Sequence, residues 1–128
     1  MKKTFAALAL SLLAAVSLAQ AKDKPDREDI EVEVVNGKIV VNEETARTTE
    51  AHGAIVWRIV QPGFRFPANG IVVNSKGKHR CALHADGKRY RCAKLGHDKG
   101  AKYKYDVRVV ERGTGAFLPV LDPYLQND

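Results

Sequence analysis

Apolar and polar residues alternate along much of this chain at a period of two, the spacing of strands with one buried face. Ile30, Val32 and Val34 alternate with Glu31 and Glu33. Asn36-Gly37 follows, a pair suited to a type I′ turn because both central positions of that turn need positive φ. Centred there, the turn pairs Val34 with Ile39 and Val32 with Val41, and all four apolar side chains share one side. In the most apolar run, Ile55, Trp57 and Ile59 face one way while Val56, Arg58 and Val60 face the other. That strand is expected to be central, with Trp57 in the core. Gln61-Pro62-Gly63 ends it, Phe64 and Phe66 straddle Arg65, and Asn69-Gly70 turns the chain into Ile71-Val72-Val73. Later, Tyr103, Tyr105, Val107 and Val109 alternate with Lys104, Asp106 and Arg108. Phe117 to Leu121 reads as the last strand, stopped by Asp122-Pro123 before a short polar tail. Glu43 to Glu50 has no apolar stripe and reads as a loop or one helical turn. Ala93 to Lys102, with two glycines, reads as an exposed loop or short helix.

Between these runs, His79 to Cys92 (HRCALHADGKRYRC) predicts a second hairpin. A type I′ turn at Asp86-Gly87 pairs Ala85 with Lys88, Leu83 with Tyr90 and Cys81 with Cys92. The only two cysteines thus face each other at a separation a disulfide can bridge. Leu83, Tyr90 and both cysteines share one face; His84, Arg89 and Arg91 share the other.

The N-terminus changes the compartment. Lys2 and Lys3 precede an Ala/Leu run from Phe5 to Leu18, and Ala19-Gln20-Ala21 supplies a small-x-small cleavage pattern. Residues 1–21 are therefore expected to be a signal peptide, 22–29 a mobile lead-in containing Pro25, and 30–128 a single domain. The apolar run is short for a membrane span. Export to the periplasm, or beyond the cell, makes a bridged cysteine pair the expectation.

Charge is unevenly spread. The formal net charge is +6, yet Lys22 to Glu50 holds five basic and nine acidic residues, net −4. Lys76 to Lys104 holds ten basic residues against Asp86 and Asp98, net +8. A basic sheet face on an exported protein points to polyanionic partners.

Frequent turns, short strands and no sustained helical periodicity predict an all-β fold: an antiparallel Greek-key sandwich of about seven or eight strands. Gly100-Ala101-Lys102-Tyr103-Lys104-Tyr105-Asp106-Val107 resembles the late strand of immunoglobulin-like and cupredoxin-like sandwiches, with Tyr103 where a tyrosine corner would sit. The I-x-W-x-I strand, G-F-R-F-P, two cysteines, Y-K-Y-D-V and terminal L-D-P also resemble small exported bacterial proteins of no assigned function. The resemblance implies a fold and no activity. The disulfide departs from the inter-sheet bridge of antibody domains, because it lies within one hairpin.

Candidate chemistry is sparse. A blue-copper site needs two histidines, a cysteine and usually a methionine. The sole methionine is Met1, and both cysteines have a better role in a disulfide. His79, His84 and His97 form the alternative metal set, for Cu or Zn handling, but His79 and His84 have opposite strand parity. Ser75 lacks a G-x-S-x-G context, and Glu43-Glu44 is an adjacent pair in a polar loop. No catalytic residue and no cofactor is assigned. Nucleic acid is not expected, since alternation sends the tyrosines and basic residues of Lys102 to Tyr105 to opposite faces.

The expectation is a monomeric, non-catalytic binding module without a membrane span. Its candidate ligand surface is Arg89, Arg91, Lys102, Lys104 and Arg108, rimmed by the Ala93 to Gly100 loop. The alternative is an inhibitor or chaperone-like partner of another exported protein, acting through Gln61 to Gly70.

Overall fold

The computed structural model describes residues 27–49, 53–75, 79–95 and 99–128. The expected signal peptide and most of the lead-in lie outside the described residues. Among the described residues eleven strands run in chain order: β1 (Arg27–Val35), β2 (Lys38–Val41), β3 (Thr45–Thr48), β4 (Ala54–Ile59), β5 (Phe64–Arg65), β6 (Ile71–Val73), β7 (Arg80–Leu83), β8 (Arg89–Ala93), β9 (Lys102–Val107), β10 (Val110–Glu111) and β11 (Tyr124–Asn127). The described residues contain no helix. One sheet has the order β2-β1-β4-β8-β7, a second β3-β11-β9-β6, and β10 pairs β5 in a short ribbon.

Both hairpin registers follow the alternation. β1 and β2 pair Val32 with Val41 and Val34 with Ile39, around Asn36 at φ 52° and Gly37 at φ 74°. β7 and β8 pair Cys81 with Cys92 and Leu83 with Tyr90, and the two cysteines form a disulfide. The second turn differs in kind. Asp86 does not adopt positive φ; Gly87 does, at 71°. His84 and Arg89 close a four-residue loop in which the Gly87 amide donates to the His84 carbonyl at 3.0 Å. A two-residue turn and a four-residue loop on the same centre preserve the register, so the disulfide is the same.

The sheets are mixed rather than wholly antiparallel. β1 runs parallel to β4, and β3 parallel to β11. Parallel neighbours need a crossover connection. Here the chain leaves β2, contributes β3 to the four-stranded sheet, and returns as β4 beside β1. β3 itself replaces the expected polar loop: Ala46 and Thr48 are buried while Arg47 is exposed, so the inward residues are too small or too polar to register as an apolar stripe. β1 begins at Arg27, before the expected start at Ile30.

The C-terminus is the largest departure. Phe117 and Leu121 make only isolated bridges, to Val110 and Val107, and Phe117 is 63% exposed. Pro119 removes a ladder donor between them. The last strand is instead β11, in the supposed tail, flanked by β3 and β9. Leu125 and Asn127 are buried in it, and the Thr48 hydroxyl meets the Asn127 side chain.

A continuous core draws on both large sheets: Ile30, Val32, Ile55, Trp57, Ile59, Tyr90 and Cys92 from one, Ala46, Ile71, Tyr105, Val107 and Leu125 from the other. β4 is the middle strand of five and buries all its residues except Arg58. Trp57 meets Tyr105 with ring centroids 5.1 Å apart, and its indole N–H donates to the Tyr105 hydroxyl at 3.1 Å.

Candidate functional site

Because side chains alternate, burial of Trp57, Tyr90 and Cys92 forces their neighbours to the far side of the five-stranded sheet. Register then assembles that outer face row by row. Ala82, Arg91, Val56 and Asp29 lie across β7, β8, β4 and β1, and the next row is Arg89, Arg58 and Glu31. His84 faces Arg89 from the end of β7 through its amide, which donates to the Arg89 carbonyl at 2.9 Å. Arg58 and Arg89 are directly opposite one another in the antiparallel pair. Like charges so placed repel and are destabilising on their own.

Local acids answer part of that charge. Arg89 reaches Asp86 at 3.0 Å and the His84 imidazole at 3.2 Å; Arg58 lies 3.6 Å from Glu31. The Lys88 amide and the Arg89 guanidinium hold the Asp86 carboxyl down at about 2, against a usual 3.8. Arg91 has no ion-pair partner among the described residues. Val56 points outward yet is only 8% exposed. Arg91 lies directly across from it on β8 and Asp29 on β1.

The sequence-derived candidates do not form one surface. Arg89 and Arg91 lie on β8, but Lys102 and Lys104 lie on β9 of the other sheet, on its own outer face. Lys102 sits over the Tyr124 ring at 4.4 Å from its centroid, and Lys104 pairs with Asp122 at 3.3 Å. Arg108 is half-buried and bonded to Asp106 at 3.1 Å. Arg58 is the residue that was missed. Its signal was present: it is the basic residue on the polar parity of the strand that carries Trp57.

Loops named as candidates are tied down. The Leu95 amide donates to the Gly53 carbonyl, and that of Gly100 to Asn127, at the two described ends of the Ala93 to Gly100 loop. Along Gln61 to Gly70, the Lys88 ammonium donates to the carbonyls of Gln61 and Phe64, and the Tyr90 hydroxyl to that of Ala68. The Gln61 side chain clamps both backbone groups of Val34.

The histidines are spread out. His79 and His84 flank opposite ends of β7, five residues apart in extended chain, a separation of roughly 16 Å that no single ion spans. His97 lies outside the described residues, and among those described no group of His, Cys, Asp or Glu is arranged to hold a metal. Ser75 Oγ lies 3.3 Å from His79 Nδ1. In Ser-His hydrolysis the serine meets Nε2 and the orienting acid meets Nδ1, so this contact does not have that geometry. Among the described residues no helix is long and apolar enough to cross a membrane. In comparisons with known proteins, no family model and no curated protein matches the chain.

Proposed function

We propose that this protein is a non-catalytic binding module of the bacterial envelope that holds a polyanionic component against the outer face of its five-stranded sheet. The observation that carries the reading is the grouping of Arg58, Arg89 and Arg91 around Val56, with Arg58 and Arg89 in direct cross-strand opposition. An anion lying across them relieves a repulsion that the two local acids relieve only in part. The N-terminal pattern of Lys2-Lys3, an apolar run and Ala-Gln-Ala supports export to the periplasm. The Trp57–Tyr105 contact supports reading the two large sheets as a monomeric sandwich of immunoglobulin-like or cupredoxin-like type.

Titration calorimetry with polyphosphate tests the reading. Affinity is expected to fall at least about tenfold on moving from low to moderate salt, and to be lost in the double reversal Arg58→Glu/Arg91→Glu. Binding unaffected by those reversals, or no binding at low salt, contradicts it. A second reading, an inhibitor or chaperone-like partner of another exported protein, draws on the anchored segment from Gln61 to Gly70, a rigid surface that costs little entropy to present. It predicts a stoichiometric complex that survives moderate salt.

A further inference from the structure

The outer face of the five-stranded sheet carries two adjoining depressions of contrasting chemistry. One, of about 150 Å³, is lined by Val56, His84, Arg89 and Arg91. The other, of about 200 Å³, shares Val56 and Arg89 but is otherwise lined by Asp29, Ile30, Glu31, Asn42 and Arg58. Arg89 stands between a cationic half and a half in which the Asp29 and Glu31 carboxylates and the Asn42 amide accompany Arg58. The first half takes an anion, and the second, where Glu31 lies 3.6 Å from Arg58, also offers groups that pair with hydroxyls. What fits both is an anion joined to a group rich in hydroxyl donors.

Asn42 is positioned for such a group. Its Oδ1 accepts the Glu31 amide at 3.0 Å, and its own amide donates to the Glu31 carbonyl at 3.1 Å. With the side-chain oxygen engaged, its NH2 is the end that meets a ligand, beside carboxylates that accept from hydroxyls. Val56, only 8% exposed, and Arg89 are common to both halves. Resting on the polyanion reading above, we infer that this cleft binds a phosphorylated sugar. The phosphate lies on His84, Arg89 and Arg91, and the hydroxyls on Glu31, Asp29 and Asn42.

The test compares glucose 1-phosphate and N-acetylglucosamine 1-phosphate with inorganic phosphate and glucose, by titration calorimetry on the intact protein. At least one sugar phosphate is expected to bind about tenfold tighter than inorganic phosphate, because its hydroxyl contacts add to the shared phosphate contacts. Asn42→Ala and Glu31→Gln should each reduce that advantage, and Glu31→Gln should also raise the affinity for phosphate itself, because it releases Arg58. Arg91→Ala should weaken the sugar phosphate and inorganic phosphate together. Equal affinity for inorganic phosphate and both sugar phosphates overturns the sugar assignment and leaves the anion site standing. Failure of every phosphate, polyphosphate included, overturns both.

Discussion

The Trp57 indole N–H and the Tyr105 hydroxyl are joined by a hydrogen bond of 3.1 Å that links the middle strand of the five-stranded sheet to β9 of the other. Both residues are fully buried, so neither has water as an alternative partner. Tyr105→Phe should therefore strand a buried indole donor, at a cost of about 2 kcal/mol in urea unfolding. A loss indistinguishable from zero would mean that the indole finds another acceptor.

The same pair sets an alkaline limit on stability. Burial pushes the Tyr105 phenol up to about 12, against the Trp57 bond, which acts the other way. The unfolded phenol ionises near 10, so between pH 10 and 12 the unfolded state binds fewer protons and stability falls as pH rises. The loss attributable to Tyr105 is about 3 kcal/mol across that window. Tyr90, raised by burial, adds to the same limb. Tyr105→Phe should flatten the limb without abolishing it, measured as midpoint against pH.

At the acid end, Asp86 contributes stability that is present above 3.8 and lost as pH falls towards about 2. Its carboxylate accepts the Lys88 amide and the Arg89 guanidinium within the hairpin loop. A carboxyl carbon resonance titrating near 2, and its disappearance in Asp86→Asn with a shallower acid limb, is the expected result.

Cys81 and Cys92 lie on the inward parity of β7 and β8, away from the arginine face. Replacing both with alanine should lower stability by about 3 kcal/mol, as expected for a loop of this length in the chain-entropy model. Anion affinity should be unchanged, because the register of Arg89 and Arg91 is also held by β4.

Leu125 is fully buried in a strand paired on both sides. Leu125→Ala should cost about 3 kcal/mol. The exposed Phe117 and Val120 should tolerate serine with changes of about 0.5 kcal/mol or less. The reverse pattern would restore Phe117 to Leu121 as the structural strand.

That contrast shows what the residue pattern could and could not convey. Hairpin registers were legible because local turn residues and alternation agree: Asn36-Gly37 and Asp86-Gly87 each fix which side chains face inward. β3 and β11 were not, because their inward residues include Ala46, Thr48 and Asn127, whose burial depends on partners about 80 residues away in the chain. Phe117 to Leu121 looked like a strand by hydrophobicity alone, yet it makes only isolated bridges to Val110 and Val107. The site was half visible. Arg89 and Arg91 share a face by simple parity, but bringing Arg58 beside them requires knowing that β4 pairs β8. Separating Lys102 and Lys104 from them likewise requires knowing which sheet holds β9.

The most direct test is to map amide shifts of the isotope-labelled protein during a polyphosphate titration at low salt. The account predicts perturbations concentrated at Val56, Arg58, His84, Arg89 and Arg91 on β4, β8 and the adjoining hairpin loop. Shifts centred on Lys102, Lys104 and Tyr124, or none at all, would contradict it.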